Sequence, residues 1–312
     1  MRRRRSDAVD LDRHARRHAG LVAGTLAHGE PALHARGAVT EDAIFEIGSI
    51  TKVFTALLLA RMAQDGRVAL TERPFRGQPV TLADLASHTA GLPRLPRGMW
   101  RRALTERRDP YANFATAELD AAVRRVRVRA RGKLRYSNFG AGLLGHLLAE
   151  RAGRPYGELL TAEVLAPLGL HETWVEVPDA EVHRFADGHD RRGRRVPHWH
   201  LGALAGAGAL RATAGDLLRF LAVQLDPPDT PLGAAVRLTH AERARRSRLG
   251  IGLGWLQLDD KAAGGVLWHN GGTGGFRSFA GFVPGRGTAA VVLSCSARSV
   301  DRIGFELLRS LA

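Results

Sequence analysis

Cysteine is almost missing from this 312-residue chain, with Cys295 the only one. A single thiol forms no internal disulfide and no thiolate cluster for zinc, which excludes a disulfide-stapled scaffold and a cysteine-ligated metal fold. Long apolar runs are lacking too. The longest uncharged stretches, 196–210 and 262–276, are rich in Gly, Ala and His, and neither reads as a membrane span. The opening Met1-Arg2-Arg3-Arg4-Arg5 continues as Ser6-Asp7-Ala8-Val9-Asp10, where a secretory signal needs an apolar stretch. That pattern points to a cytoplasmic chain with a basic tail. Lysine is the third scarcity: Lys52, Lys133 and Lys261 are the only lysines among 46 basic residues. Arginine serves wherever a permanent cation suffices, so each lysine is a candidate for a role that needs a removable proton.

What is present describes a globular protein. The chain is 45% hydrophobic and 25% charged, with enough length for one large domain or two ordinary ones. The net charge of +15 raises the question of nucleic acid. The arginines are scattered, however, and no basic run is interleaved with aromatics to stack bases. The densest stretch, 124–135, holds seven basic residues in twelve positions and reads as solvated surface. No specific nucleic-acid partner is expected, and a basic polyanion-binding module is kept as an alternative.

The periodicity changes along the chain. A helix is expected near 7–18, then strands over 20–27 and 32–39 joined by the turn His28-Gly29-Glu30-Pro31. From Ser49, the apolar residues Ile50, Val53, Phe54, Leu57, Leu58 and Met62 recur at helical spacing until Gly66. Most of 81–248 keeps helical character, broken by Pro- and Gly-rich loops. Strand patterns return at 252–258, 266–268, 275–283 and 288–296, and an amphipathic helix closes the chain at 300–311. Connections that short demand antiparallel pairing. The class is therefore α+β, with one antiparallel sheet built from both chain ends and flanked by N- and C-terminal helices. Residues 1–50 and 249–312 form the expected sheet domain, residues 51–248 a mainly helical domain, and the cleft between them the active site.

Three motifs carry chemistry. Ser49 and Lys52 stand one helical turn apart, so the amine can reach the hydroxyl. A serine becomes a nucleophile beside a base, and a lysine is that base when burial lowers its pKa. The bland alternative is a helix cap followed by a solvated lysine. In Tyr136-Ser137-Asn138, a phenol and a carboxamide project to one side of an extended turn, or simply make a hydrogen-bonded turn before a helix. Trp268-His269-Asn270-Gly271-Gly272-Thr273-Gly274-Gly275 leaves little side chain on a strand edge, so a ligand can lie against the backbone. The N–H groups of Gly272 and Ser49 are the candidate oxyanion hole. A phosphate loop is disfavoured, because no G-K-[ST] ending or helix follows.

Ser49-Ile50-Thr51-Lys52, Tyr136-Ser137-Asn138 and His269-Asn270-Gly271 resemble, in order and spacing, the S-x-x-K, Y-x-N and [KH]-x-G motifs of the class C β-lactamase family. That family also includes esterases, D-amino-acid peptidases and penicillin-binding-like proteins. The stretches 85–93 and 206–216 are similar to its signatures as well, whereas 70–80 is shorter than usual. The resemblance implies a β-lactamase/transpeptidase-like fold and an acyl-enzyme on Ser49, with Lys52 and Tyr136 sharing its activation. It further implies that Asn138 contacts the acyl side and that His269, Asn270, Gly271 and Gly272 form the substrate-binding strand edge and oxyanion site. His269 stands where the lactamases usually carry lysine, which removes a permanent cation and favours esterase-like activity. The implied substrate is a small ester, amide or β-lactam, with a non-enzymatic acyl-binding protein as the alternative. No cofactor and no metal are expected, since His183, His189, His198 and His200 match no metal spacing. A flap over the cleft is expected at 94–108, and Asn113 is a further candidate for the pocket.

Overall fold

The computed structural model describes residues 11–75, 77–99, 109–125, 128 and 131–311. The basic tail at 2–5, the start of the expected helix at 7–18, most of the expected flap at 94–108 and part of the basic stretch 124–135 lie outside them. Helix α1 (Leu11–Ala15) leads into β1 (Gly20–Ala27) and β2 (Glu30–Gly37). His28 and Gly29 both take positive φ at the turn, the backbone that a tight hairpin with the twist of its strands requires. β2 starts two residues earlier than expected and is mostly exposed, with Pro31 tolerated on this edge strand.

The middle of the chain holds β3 (Phe45–Glu46), a 3₁₀ turn (Gly48–Ile50) and α2 (Thr51–Gln64), then α3 (Leu82–Ala86), α4 (Thr116–Arg125), α5 (Asn138–Ala152) and α6 (Tyr156–Leu160). Short strands β4 (Thr173–Trp174), β5 (Gly188–His189), β6 (Arg195–Val196) and β7 (Arg211–Ala212) follow, then α7 (Ala214–Leu225) and α8 (Pro231–His240). The last part supplies β8 (Ala244–Arg246), β9 (Leu249–Ile251), β10 (Leu256–Asp260), β11 (Gly264–Gly272), β12 (Arg277–Val283), β13 (Thr288–Ser294) and α9 (Asp301–Ser310). The single strand expected at 252–258 is two strands with a bend between them. Gly254, at φ +81, makes that bend and lies against the backbone of α2, where any Cβ would be crowded.

Eight strands form one sheet in the order β2-β1-β13-β12-β11-β10-β9-β8, and the neighbouring pairs are antiparallel. Both chain ends therefore meet in the middle, at the β1–β13 pair. Alternation sorts the side chains into two cores. Leu21, Ala23, Phe279 and Val292 face α9, where they meet Ile303, Leu307 and Leu308. Val22, Val291 and Leu293 face the opposite way, toward Leu217 and Leu221 of α7 and the larger core around α2. The fold is α+β, a helix-covered antiparallel sheet beside a helical region. Among the described residues no helix is long and apolar enough to cross a membrane.

Candidate active site

Helix α2 is buried on every side over its first ten residues, Lys52 included at 2% exposure. A charged amine there would be costly. Burial, with the Arg94 guanidinium as the next cause, holds the Lys52 pKa well below its usual value of 10.5. Its Nζ donates to Ala207 O at 2.6 Å and lies 2.8 Å from Ser49 Oγ. The Ser49 turn is clamped from three directions. Ser278 Oγ donates to Ile47 O (2.7 Å), Ile47 N–H donates to Leu210 O (3.0 Å), and Leu210 N–H donates to Thr51 Oγ1 (3.0 Å).

Tyr136 and Asn138 reach the same point from the start of α5. Ser137 caps that helix, with its Oγ accepting from Gly140 N–H (2.9 Å) and donating to Pro93 O (2.6 Å). Phe139 N–H donates to Arg94 O (3.1 Å), and Arg135 N–H donates to His88 O (2.8 Å), so residues 88–94 are strapped along the Tyr136 motif. Tyr136 is hydrogen-bonded to Ser49. Burial pushes its phenol up to about 12 against the opposing pull of that bond and of Arg94. Its ring lies 5.1 Å from Lys52 Nζ. The Asn138 amide nitrogen donates to Tyr111 Oη at 3.4 Å, while its Oδ1 is buried and has no hydrogen-bond partner among the described residues.

His88 was not legible as a site residue. It takes a positive φ of 57°, an uncommon backbone for a non-glycine residue. Its ring lies tilted at 42° against that of Tyr136 with the centroids 4.4 Å apart, and its Nδ1 accepts from Ser137 N–H at 3.2 Å. Burial, then the nearby Lys52, holds it well below the normal histidine range.

The third motif lies on β11. Strand β10 pairs with β11 only as far as Trp268, so 269–272 form an edge beside the Ser49 turn. The fit there is close: a Cβ on Gly271 would stand 1.9 Å from Ile47 O, and one on Gly48, at φ +50, would stand 2.6 Å from Gly272 N. His269 is fully buried, 6.0 Å from the Tyr136 ring. Its Nδ1 lies 2.6 Å from Asn270 O, and a carbonyl only accepts, so Nδ1 carries the proton and Nε2 a lone pair. Burial and the neighbouring Lys52 lower its pKa to about 3, so the imidazole is neutral. Asn270 corrects the sequence reading. Strand alternation turns its side chain to the other face, where Nδ2 donates to Asp301 Oδ2 at 2.9 Å and holds the start of α9.

Ser49, Asn138 and Gly272 line one cavity with Tyr111, Trp199 and Thr273. Its open volume is about 20 Å³, room for a single water molecule. Asn113 is exposed, and Tyr111 two residues earlier takes the place expected for it. The histidine-rich stretch has structural work: His198 pairs with the buried Glu46 (3.2 Å), and His200 with Asp109 (3.1 Å). Among the described residues no three His, Cys, Asp or Glu side chains converge as a metal site.

A hydroxyl against a buried lysine amine, a phenol on the same oxygen and a glycine strand edge, all on this fold, define the class as a serine hydrolase. The sequence profile of the Beta-lactamase family matches residues 6–309, and the chain belongs to that family. It is 28% identical over 291 residues to a β-lactamase of Pseudomonas fluorescens, covering 82% of this chain and 80% of the relative. It is 26% identical over 282 residues to the D-alanyl-D-alanine-carboxypeptidase/endopeptidase AmpH of Escherichia coli (strain K12), covering 81% and 71%. The crystal structure of a β-lactamase from Sulfitobacter sp. EE-36 superposes with a TM-score of 0.84 at 25% identity, over 98% of this chain and 94% of that one.

Proposed function

We propose that this serine hydrolase works through an acyl-enzyme on Ser49, formed from small esters, amides or β-lactams. The observation that carries the reading is the 2.8 Å contact between Ser49 Oγ and an amine whose pKa burial lowers well below its usual value. With one N–H donated to Ala207 O, the Lys52 lone pair accepts the Ser49 proton as Oγ bonds to the substrate carbonyl carbon. Tyr136 is a neutral phenol at ordinary pH, so it is suited to donate to the leaving group while Lys52 acts as the base. The N–H groups of Ser49 and Gly272 face the developing oxyanion. The unpartnered Asn138 Oδ1 accepts an N–H from the acyl portion where the substrate has one. As the intermediate collapses, the alcohol or amine leaves with the Tyr136 proton, and the Lys52 ammonium returns the Ser49 proton to the phenolate. The freed amine then takes a proton from the attacking water, and that proton goes back to Ser49 Oγ as the acid departs.

Ester substrates are favoured within this reading, because the uncharged His269 leaves the third motif without a cation. The relatives' printed names support β-lactams and D-alanyl peptides as the other arm of the panel. With an activated p-nitrophenyl ester, a burst of nitrophenol stoichiometric with enzyme is expected, followed by slower turnover. Ser49→Ala loses both phases. A variant that hydrolyses the ester at the wild-type rate contradicts the mechanism.

A further inference from the structure

We propose that Arg94 forms a carboxylate-binding subsite at the mouth of this cleft, and that the hydrolase acts on acyl donors carrying a negative charge. This rests on the Ser49 mechanism above and names its substrate class. Lys52, His88, His269 and Tyr136 surround the nucleophile; burial holds Lys52 well below its usual value and keeps the other three neutral at ordinary pH. Arg94 is different. It is exposed, its guanidinium carbon lies 5.5 Å over the Tyr136 ring, and its field reaches Lys52, Tyr136 and Tyr111 alike. Among the described residues no carboxylate pairs with it.

The placement is built rather than incidental. Pro93 O accepts from Ser137 Oγ, and Arg94 O accepts from Phe139 N–H, so the backbone carrying the guanidinium is fixed to the residues on either side of Asn138. Alongside runs a cavity of about 520 Å³ bounded by Pro93 and Phe139, whose lining carries Arg97, Arg125 and Arg135 against the one carboxylate of Glu118. The guanidinium fork matches a carboxylate in two parallel hydrogen bonds. At the β11 edge the Arg277 guanidinium is already engaged by Thr273 O and Phe276 O, so Arg94 supplies the cation without a partner, from the Tyr136 side.

A matched pair of substrates tests this: the p-nitrophenyl monoester of glutaric acid and p-nitrophenyl valerate, the same length without the carboxylate. Wild type is expected to prefer the glutarate ester in kcat/KM. Arg94→Gln lowers that preference about tenfold, carried by KM rather than kcat, and Arg94→Lys retains more of it than Arg94→Gln does. A preference that Arg94→Gln leaves within twofold of wild type, or a wild type that prefers valerate, overturns the subsite and leaves the serine mechanism standing. That mechanism, and the subsite with it, falls if Ser49→Ala hydrolyses both esters as fast as wild type. The wild type alone gives a second readout, independent of how the variants fold. Raising ionic strength from about 0.02 to about 0.5 M is expected to raise KM for the glutarate ester more than for valerate. Equal effects on the two esters count against the subsite.

Discussion

At the scale of the residue, the account turns on which groups hold protons. Lys52 must lose its proton before it can accept one from Ser49, and its folded pKa is lowered chiefly by burial, then by Arg94. The kcat/KM of a neutral ester therefore rises with pH along a limb set by Lys52, below the pH at which a free lysine titrates. Arg94→Gln removes a cation that disfavours the ammonium, so the limb moves to higher pH in that variant; a limb that stays in place or moves down contradicts this. Lys52→Arg installs a cation that stays charged and should lower kcat/KM by roughly 10²–10⁴-fold with the fold retained. Near wild-type turnover in the Lys52→Arg variant excludes Lys52 as the base. Lys52 was legible because it is one of only three lysines and sits in an apolar run. Arg94 was not, being one exposed arginine in an arginine-rich chain. Only the hydrogen bonds from Ser137 and Phe139 to 93–94 reveal its neighbours.

At the scale of the element, β11 and the turn before α2 act as one unit. Gly271 lies so close to Ile47 O that a methyl group there must displace the Ser49 turn or the strand. Gly271→Ala should cost about 1–3 kcal/mol of stability. It should also lower kcat by about 10²-fold, because an ångström of misplacement is enough to spoil the attack geometry. Near wild-type kcat in that variant counts against an oxyanion site on this strand edge. Asn270 faces the other way, so Asn270→Ala is expected to show itself as about 1 kcal/mol of lost stability through the freed Asp301 contact. A change confined to KM would put Asn270 back at the substrate. Strand periodicity could have separated the two: His269 and Gly271 share one face, while Asn270 belongs to the other. The motif obscured that alternation by joining all three. The bend at Gly254 also escaped the pattern, since a glycine in an apolar run gives no sign of its φ before the fold is known.

At the scale of the whole molecule, the sheet assembled from both chain ends was legible in alternating patterns and short turns, which leave antiparallel pairing as the economical arrangement. The burial of several histidines was not legible. Burial lowers His269 to about 3, His18 and His240 to about 4, and His88 well below its normal range. Their folded values lie below the unfolded value near 6.5, so the unfolded chain binds protons that the folded one refuses. Their contribution is complete above about pH 6.5 and is lost as pH falls from there toward the folded values, at up to about 1.4 kcal/mol per pH unit per histidine. The denaturant midpoint should fall steeply between about pH 6.5 and 5; a flat profile there contradicts the neutral, buried state of these rings.

The central claim is the covalent bond at Ser49, and peptide mapping by mass spectrometry tests it most directly. Wild type and Ser49→Ala are mixed briefly with the p-nitrophenyl ester, a β-lactam and a D-alanyl peptide, quenched in acid and digested. The account predicts one acyl group from at least one donor, confined to the peptide containing Ser49 and missing from the variant. Hydrolysis that proceeds equally in both proteins, or an adduct on any other side chain that forms in both, would contradict it.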